Sequence, residues 1–152
     1  MASRSESCPQ EPQGTGRQIA IILDADVIIC GEGGTFELKS WVTSRPNGRF
    51  EIAAITVAEL WHGVERATGT HHKIMRHRYL ETVLESLPII PYTEQTAYEH
   101  ARIWAELEVS GKMIGFYDLI VGATALERGS EVATFNNRHF SRIKGLSLIE
   151  PK

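Results

Sequence analysis

The order of apolar and polar positions along the chain predicts short strands separated by helices. The first block, residues 19–29, is apolar except for Asp24 and Asp26, and it predicts a strand buried on both faces together with its exit. Further apolar runs predict strands at residues 50–55, 88–91, 131–135 and 146–149. Helical spacing predicts helices at residues 36–42, 57–67, 70–87, 93–109 and 117–129, with a turn or short helix at 136–140. This alternation indicates βαβ units, and therefore an α/β fold with a parallel sheet and helices on both faces.

Length and composition predict one soluble domain behind a polar leader. The 152 residues suffice for a single domain with a sizeable core, and no apolar run approaches the roughly 18–20 residues of a membrane span. Residues 1–17 lack an apolar signal segment, so we expect a disordered leader before a domain at residues 18–152. Cys8 and Cys30 have no metal-binding spacing, and free thiols are typical of a cytoplasmic protein.

The distribution of charge is more informative than its sum. A net charge of −3 excludes a uniformly basic nucleic-acid binder, so any phosphate contacts must come from local patches. The chain contains 16 Glu but only three Asp, namely Asp24, Asp26 and Asp118. All three Asp lie in or beside apolar runs, whereas surface acids are Glu, which indicates that the Asp residues have a specific role.

Three acids occupy comparable positions at one edge of the predicted sheet. Asp24 stands at a strand end, Glu59 follows the second strand, and Asp118 begins a buried helix. Carboxylates gathered this closely repel one another, so they need a cation or a proton between them. Oxygen ligands favour Mg²⁺ or Mn²⁺, which suits phosphodiester hydrolysis by a metal-activated water. Asp26 lies on the same side of the strand as Asp24 if the extended conformation continues that far.

Each acid also has a purely structural explanation. Thr56 and Glu59 fit a capping box, in which the Glu59 carboxylate would turn back to the backbone. Asp118 fits an N-cap or a first-turn acid that the helix dipole stabilises. For Asp24 this explanation is weakest, because a capping acid rarely lies inside so apolar a strand. The metal-site hypothesis therefore depends on the three acids together.

Four stretches resemble the PIN-domain ribonucleases, specifically the VapC-type toxins of bacterial toxin–antitoxin pairs. They are LDADVI at 23–28, ITVAELWHGV at 55–64, IGFYDLIVGATAL at 114–126 and VATFN at 132–136 continuing to Phe140. Their order and spacing span most of residues 19–150. The resemblance implies an α/β/α sandwich, a Mg²⁺ or Mn²⁺ site at Asp24, Glu59 and Asp118, and endoribonuclease activity. It also implies a homodimer and a cognate antitoxin that blocks the site.

The chain departs from the family pattern at two positions. Asp24-Ala25-Asp26 stands where the family commonly has Asp-Thr-Asn, and Asn136 replaces a fourth acid that many members carry two residues after Thr134. Asn136 can orient a water or ligate through its carbonyl but adds no charge, so a second metal is disfavoured. We expect Asp26, Thr134 and Asn136 to support the site.

Two basic clusters are candidates for contact with phosphates. The cluster in the helix at 70–87 predicts a solvated face, because His71, His72 and His77 do not share the i, i+4 face of a helical zinc site. The second cluster directly follows Asn136 and is the preferred RNA contact; it comprises Arg138, His139, Arg142 and Lys144.

Two other functions remain open at this point. A haloacid-dehalogenase-like phosphatase also begins with an apolar strand and Asp-x-Asp, but no later acid pair follows a strand near Asp118. A catalytically silent PIN-like module that binds RNA or a partner would explain Asn136, although the other three acids argue against it.

Overall fold

The protein is described by a computed structural model that covers residues 18–152, so the predicted leader at residues 1–17 lies outside the described residues. Within this range five strands form one sheet: β1 Ile19–Leu23, β2 Gly48–Ala53, β3 Ile89–Ile90, β4 Glu131–Ala133 and β5 Leu148–Ile149. Their order across the sheet is β3-β2-β1-β4-β5, and all four pairings are parallel. The predicted parallel sheet is therefore confirmed.

Helices cover both faces of the sheet, as predicted. They are α1 Ala25–Glu32, α2 Leu38–Thr43, α3 Ala54–Arg66, α4 Thr70–Glu85, α5 Glu94–Val109, α6 Phe116–Arg128 and α7 Asn137–Phe140. Successive residues of β1 point to opposite faces, so Ile22 packs in one apolar core with α5, α6 and α7, while Ile21 and Leu23 pack in a second with α1 to α4. The fold is thus an α/β/α sandwich with a core on each side.

The first apolar block forms a strand followed directly by a helix, so the predicted strand ends at Leu23 and its exit is the helix α1 rather than extended chain. Asp24 is the N-cap of α1, and its Oδ1 accepts a hydrogen bond from the backbone N–H of Ala25 at 2.9 Å. Val27 and Ile28 are buried while Ile29 is 52% exposed. Short apolar runs do not distinguish a buried strand from a short buried helix, which explains the error.

The predicted capping box at Thr56 and Glu59 is also wrong. The helix α3 begins at Ala54, directly after β2, and no side chain forms a cap hydrogen bond at its N-cap Ala53. Thr56 consequently lies inside the first turn, where its hydroxyl is buried without a hydrogen-bond partner among the described residues. The Glu59 carboxylate is therefore not committed to capping.

The helices differ in length and apolar character, the two properties that decide whether a helix can span a membrane. In the part of the chain that the structure describes, no helix combines the length and the apolar character needed to cross a bilayer.

Candidate active site

Polar side chains meet at the carboxyl-terminal edge of the sheet. Asp24 follows β1 and Thr134 follows β4, and these strands are paired through Leu23 and Ala133. The backbone N–H of Asp24 donates to the carbonyl of Ala133 at 3.0 Å, which extends the pairing to the edge. Glu59 lies on α3, six residues after the end of β2. Because α/β folds bind ligands at this edge, it is the natural place for a site.

One hydroxyl joins the first two aspartates. Thr134 is fully buried, and its Oγ1 donates to Asp24 Oδ2 at 2.8 Å and lies 3.3 Å from Asp26 Oδ2. Asp26 Oδ2 also accepts from the backbone N–H of Phe135 at 3.1 Å. The condition under which Asp26 would lie on the same side as Asp24, a continued strand, is not met, because Asp26 lies in the first turn of α1. The helical turn nevertheless brings its carboxylate close to that of Asp24 through Thr134. Asp26 and Thr134 are therefore well placed for the supporting roles predicted for them.

A second group forms around Asp118, in the first turn of α6. Its Oδ2 lies 3.4 Å from Asn136 Nδ2 and 3.2 Å from His139 Nδ1, and these two nitrogens are 3.0 Å apart. Asn136 is fixed in turn by its backbone N–H, which donates to Thr134 Oγ1 at 2.9 Å. The structure thus places His139, assigned from sequence to RNA contact, directly against a candidate metal ligand.

Burial and mutual repulsion raise the pKa values of the carboxyls at this edge. The pKa of Asp24 is raised to about 7, chiefly by burial and further by the negative charges of Asp26 and Asp118. The hydrogen bond from Thr134 lowers this pKa but offsets only part of the rise. Burial, followed by the charges of Asp118 and Asp26, likewise raises the pKa of Glu59 to about 7. The pKa of Asp26 is raised, chiefly by burial. These acids cannot all ionise together at little cost without a compensating cation.

The donor atoms fit a divalent cation. Asp26 Oδ1 and Glu59 Oε1 are buried without a hydrogen-bond partner among residues 18–152, a costly state for a carboxylate. Hard oxygen donors of this kind suit Mg²⁺ or Mn²⁺. Within the same range no three His, Cys, Asp or Glu side chains are already clustered as a metal site.

The remaining predicted RNA contacts lie beside this edge rather than in it. Arg138 and Lys144 are exposed, and Arg142 Nη1 donates to the carbonyl of Met113 at 2.9 Å. That bond ties the link before α6 to the segment after α7. The basic cluster is thus divided, because His139 joins the carboxylates while the three cations stay outside.

Sequence reasoning missed a small pocket next to Glu59. Arg76 belongs to the basic cluster at 70–87, which the sequence predicts as a solvated face. Its Nε lies 3.2 Å from Glu32 Oε1, and its Nη1 donates to the Gly63 carbonyl at 3.2 Å. The pocket that these residues line also includes Glu59 and Leu60. The contact joins positions 44 apart in sequence, and no local periodicity signals it.

Comparisons with known proteins agree with this geometry. The PIN domain family matches residues 21–146. Ribonuclease VapC1 of Rickettsia felis is 30% identical over 131 residues, which cover 86% of this chain and 96% of that protein.

Solved structures share the fold. VapBC2 from Rickettsia felis, bound to a DNA fragment from its promoter, matches with a TM-score of 0.80 at 23% identity over 86% of this chain and 98% of that one. VapBC-5 from Mycobacterium tuberculosis, a member of the VapBC family of toxin–antitoxin systems, matches with a TM-score of 0.68 at 25% identity over 86% and 95% of the two chains. Together with its carboxylate-lined sheet edge, these matches confirm that the chain belongs to the PIN domain family and, within it, to the VapC ribonucleases.

Proposed function

We propose that the protein is a Mg²⁺- or Mn²⁺-dependent endoribonuclease that acts as the toxin of a toxin–antitoxin pair. Its membership of the VapC ribonucleases makes it an endoribonuclease, and sets aside the haloacid-dehalogenase-like phosphatase. One observation carries the metal dependence. Buried carboxyls crowd one edge, with the Asp24 and Glu59 pKa values raised to about 7 and two carboxylate oxygens without partners.

Each residue has a distinct role in this proposal. Asp24, Glu59 and Asp118 would hold the divalent cation, which supplies charge neutralisation at the phosphate and a water of lowered pKa. Thr134 fixes the Asp24 carboxylate through its 2.8 Å hydrogen bond, so that its other oxygen keeps a defined direction. Asn136 is held by Thr134 and lies against Asp118, where it can orient a polar group of the substrate.

Binding of the RNA backbone is assigned to Arg138, Arg142 and Lys144. Arg138 and Lys144 are exposed, and Arg142 lies on the same segment, next to the carboxylate edge. Phosphate contacts release counterions, so affinity should fall with salt. Replacing Arg138 with Ala should weaken RNA binding and reduce the salt slope by about one. An unchanged slope would argue against the assignment.

We also propose a homodimer and a cognate antitoxin as partners, acting in the cytoplasm. The VapC relatives and the VapBC complexes support the antitoxin. Large exposed apolar side chains on α5, α6 and the link between them support the dimer, since such patches often mark interaction surfaces. They are Trp104, Val109, Met113 and Phe116.

The decisive experiment is cleavage of total RNA by the purified protein with Mg²⁺, with Mn²⁺ and with EDTA. We expect discrete fragments that require a divalent ion and disappear in Asp118→Asn. Glu127→Gln is the matched control, because it removes an exposed carboxylate from the same helix α6 and should leave cleavage intact.

RNA binding without cleavage under any of these conditions would instead support the silent module. Equal cleavage by Asp118→Asn and the wild type would refute the role given to Asp118.

A further inference from the structure

An exposed tyrosine stands directly before one of the carboxylates of the sheet edge. Tyr117 is 49% exposed and precedes Asp118 in the first turn of α6. We propose that the ring of Tyr117 is the surface on which one unpaired base of the RNA stacks, close to the phosphate that is cleaved. The inference rests on the proposed ribonuclease function and names a residue that would hold the substrate in place.

The exposed aromatic pair Phe116 and Tyr117 is held between two buried residues. Ile114 before the pair and Leu119 after it are 8% and 1% exposed, and both belong to the core that α6 forms with α5. The Phe116 and Tyr117 rings contact each other with centroids 6.4 Å apart and planes at 74°. The core thus fixes the backbone that carries Tyr117, so a base would bind to a ring that is already positioned, at a small entropic cost.

The hydroxyl of Tyr117 makes no hydrogen bond among residues 18–152, unlike those of the other three tyrosines. Tyr79, Tyr92 and Tyr98 each place the hydroxyl 2.6–2.8 Å from a polar atom of the protein. Intramolecular hydrogen bonding therefore explains the position of these three side chains but not that of Tyr117. Exposed tyrosines of this kind are enriched at recognition surfaces, because one side chain offers a large apolar ring with a polar tip.

Cations lie next to the same turn. Arg142 Nη1 donates to the carbonyl of Met113 at 2.9 Å, which brings its guanidinium to the link that leads into Tyr117. The other cations assigned above to the RNA backbone lie exposed on the segment that carries Arg142. Sites for single-stranded nucleic acid combine cations that follow the backbone with aromatic rings on which bases stack. Phe140, the aromatic residue within that basic segment, is fully buried, so Tyr117 supplies the exposed ring.

The neighbouring acid favours a base rather than a phosphate at Tyr117. The negative charge of Asp118 repels a phosphate wherever no cation neutralises it, whereas a base is uncharged. Stacking of a base on an aromatic side chain is worth about 5- to 150-fold in affinity, and every base has a face that can stack. A base inside a duplex does not offer this face, so Tyr117 would select an unpaired nucleotide without selecting its sequence.

The test measures RNA binding by fluorescence anisotropy in EDTA, so that no probe is cut. The probes are a single-stranded oligoadenylate and an abasic oligomer with the same ribose–phosphate backbone and length. We expect Tyr117→Leu to bind the oligoadenylate at least about fivefold more weakly than the wild type, and the abasic oligomer within about twofold. Tyr117→Trp, which keeps an aromatic ring, should bind both probes as the wild type does. Tyr98→Leu removes another exposed tyrosine, on α5, and is the matched control that should leave both affinities unchanged.

The outcomes separate this inference from the proposed function. Equal oligoadenylate affinities of Tyr117→Leu and the wild type would overturn the inference, while metal-dependent cleavage of total RNA would leave the nuclease intact. A loss that both oligomers share, or a changed oligomeric state in sedimentation, would also overturn it, because Tyr117 would then support the fold or contact a second copy. A wild type that neither binds oligoadenylate nor cleaves total RNA would refute the proposed function as well.

Discussion

The Asp24 carboxylate should destabilise the metal-free fold at neutral pH, so we predict that Asp24→Asn makes the protein more stable. Asp24 is 5% exposed, and its pKa rises from 3.8 to about 7, mainly through burial and then through the charges of Asp26 and Asp118. The folded state therefore binds this proton more tightly than the unfolded chain does. Stability then falls as pH rises from about 4 to about 7, and levels off above that range.

The size of the expected stability gain follows from the rise in the pKa of Asp24. A change from 3.8 to about 7 corresponds to a cost of about 4 kcal/mol at pH 8. Coupling to Asp26 and Asp118 shares part of that cost, so we expect Asp24→Asn to recover about 2 kcal/mol. For a domain of this length such a gain raises Tm by about 6 °C. At pH 4, where the wild-type carboxyl is protonated, the two proteins should be equally stable.

Asparagine can keep the hydrogen bonds that aspartate makes at this position. Its Oδ1 can accept from Ala25 N–H, because Asn and Asp cap helices about equally well. Its Nδ2 can donate to Thr134 Oγ1, whose own proton then goes to Asp26 Oδ2, 3.3 Å away. The substitution thus removes charge without leaving a buried polar group unpaired.

The assay is urea denaturation from pH 4 to pH 8 in the presence of EDTA. Glu51→Gln is the matched control, because Glu51 is 3% exposed but is paired with Arg49 at 2.9 Å and Arg128 at 3.2 Å. Its neutralisation should destabilise the fold by about 1–2 kcal/mol, since Arg49 and Arg128, whose side chains are 49% and 31% exposed, lose their charge partner. The reasoning is refuted if Asp24→Asn is less stable than the wild type at pH 8, or if the difference between them does not depend on pH.

Three further predictions concern residues around the same edge and core. Thr134→Val removes the hydrogen bond to Asp24, so urea denaturation should show a loss of about 1.5–3 kcal/mol, with slower RNA cleavage. Thr56→Val replaces a buried hydroxyl that has no hydrogen-bond partner among the described residues, so the free energy of unfolding should rise by about 1 kcal/mol. A decrease in that free energy would mean that the hydroxyl does have a hydrogen-bond partner. Gly122→Ala would place Cβ 2.4 Å from Ile143 Cδ1, so it should cost about 1–3 kcal/mol in thermal denaturation. Adding Ile143→Val to Gly122→Ala removes the clashing Cδ1 and should cancel most of the stability loss. If the losses from the two single substitutions simply add in the double variant, the clash is not the cause.

The sequence predicted the sheet and the larger helices because their apolar positions repeat with clear periods. It failed at α1, where β1 passes into a helix after Leu23 without an intervening turn, so the apolar run continues through both elements. The same absence of a linker put the predicted start of α3 three residues too late and created the false capping box at Thr56.

The sequence indicated which acids to consider for the candidate site, but not the hydrogen bonds that link them to other residues. Asp24, Glu59 and Asp118 stand out because they interrupt or border apolar segments, and that contrast is a property of the sequence. The bond from Thr134 to Asp24 joins positions 110 apart, and the contact of His139 with Asp118 depends on the placement of α7 against α6. Such contacts depend on tertiary packing, which local patterns do not encode.

The long separation between Asp24 and Thr134 also sets when the site can exist during synthesis. The chain must be extended by 110 residues after Asp24 before the hydroxyl that orients its carboxylate is made. At about 5–20 residues per second, a ribosome needs on the order of ten seconds for that stretch. Throughout this interval the nascent chain carries its acids without the strand that assembles them. The carboxylate edge can therefore assemble only near the end of translation, once Thr134 has been added to the chain.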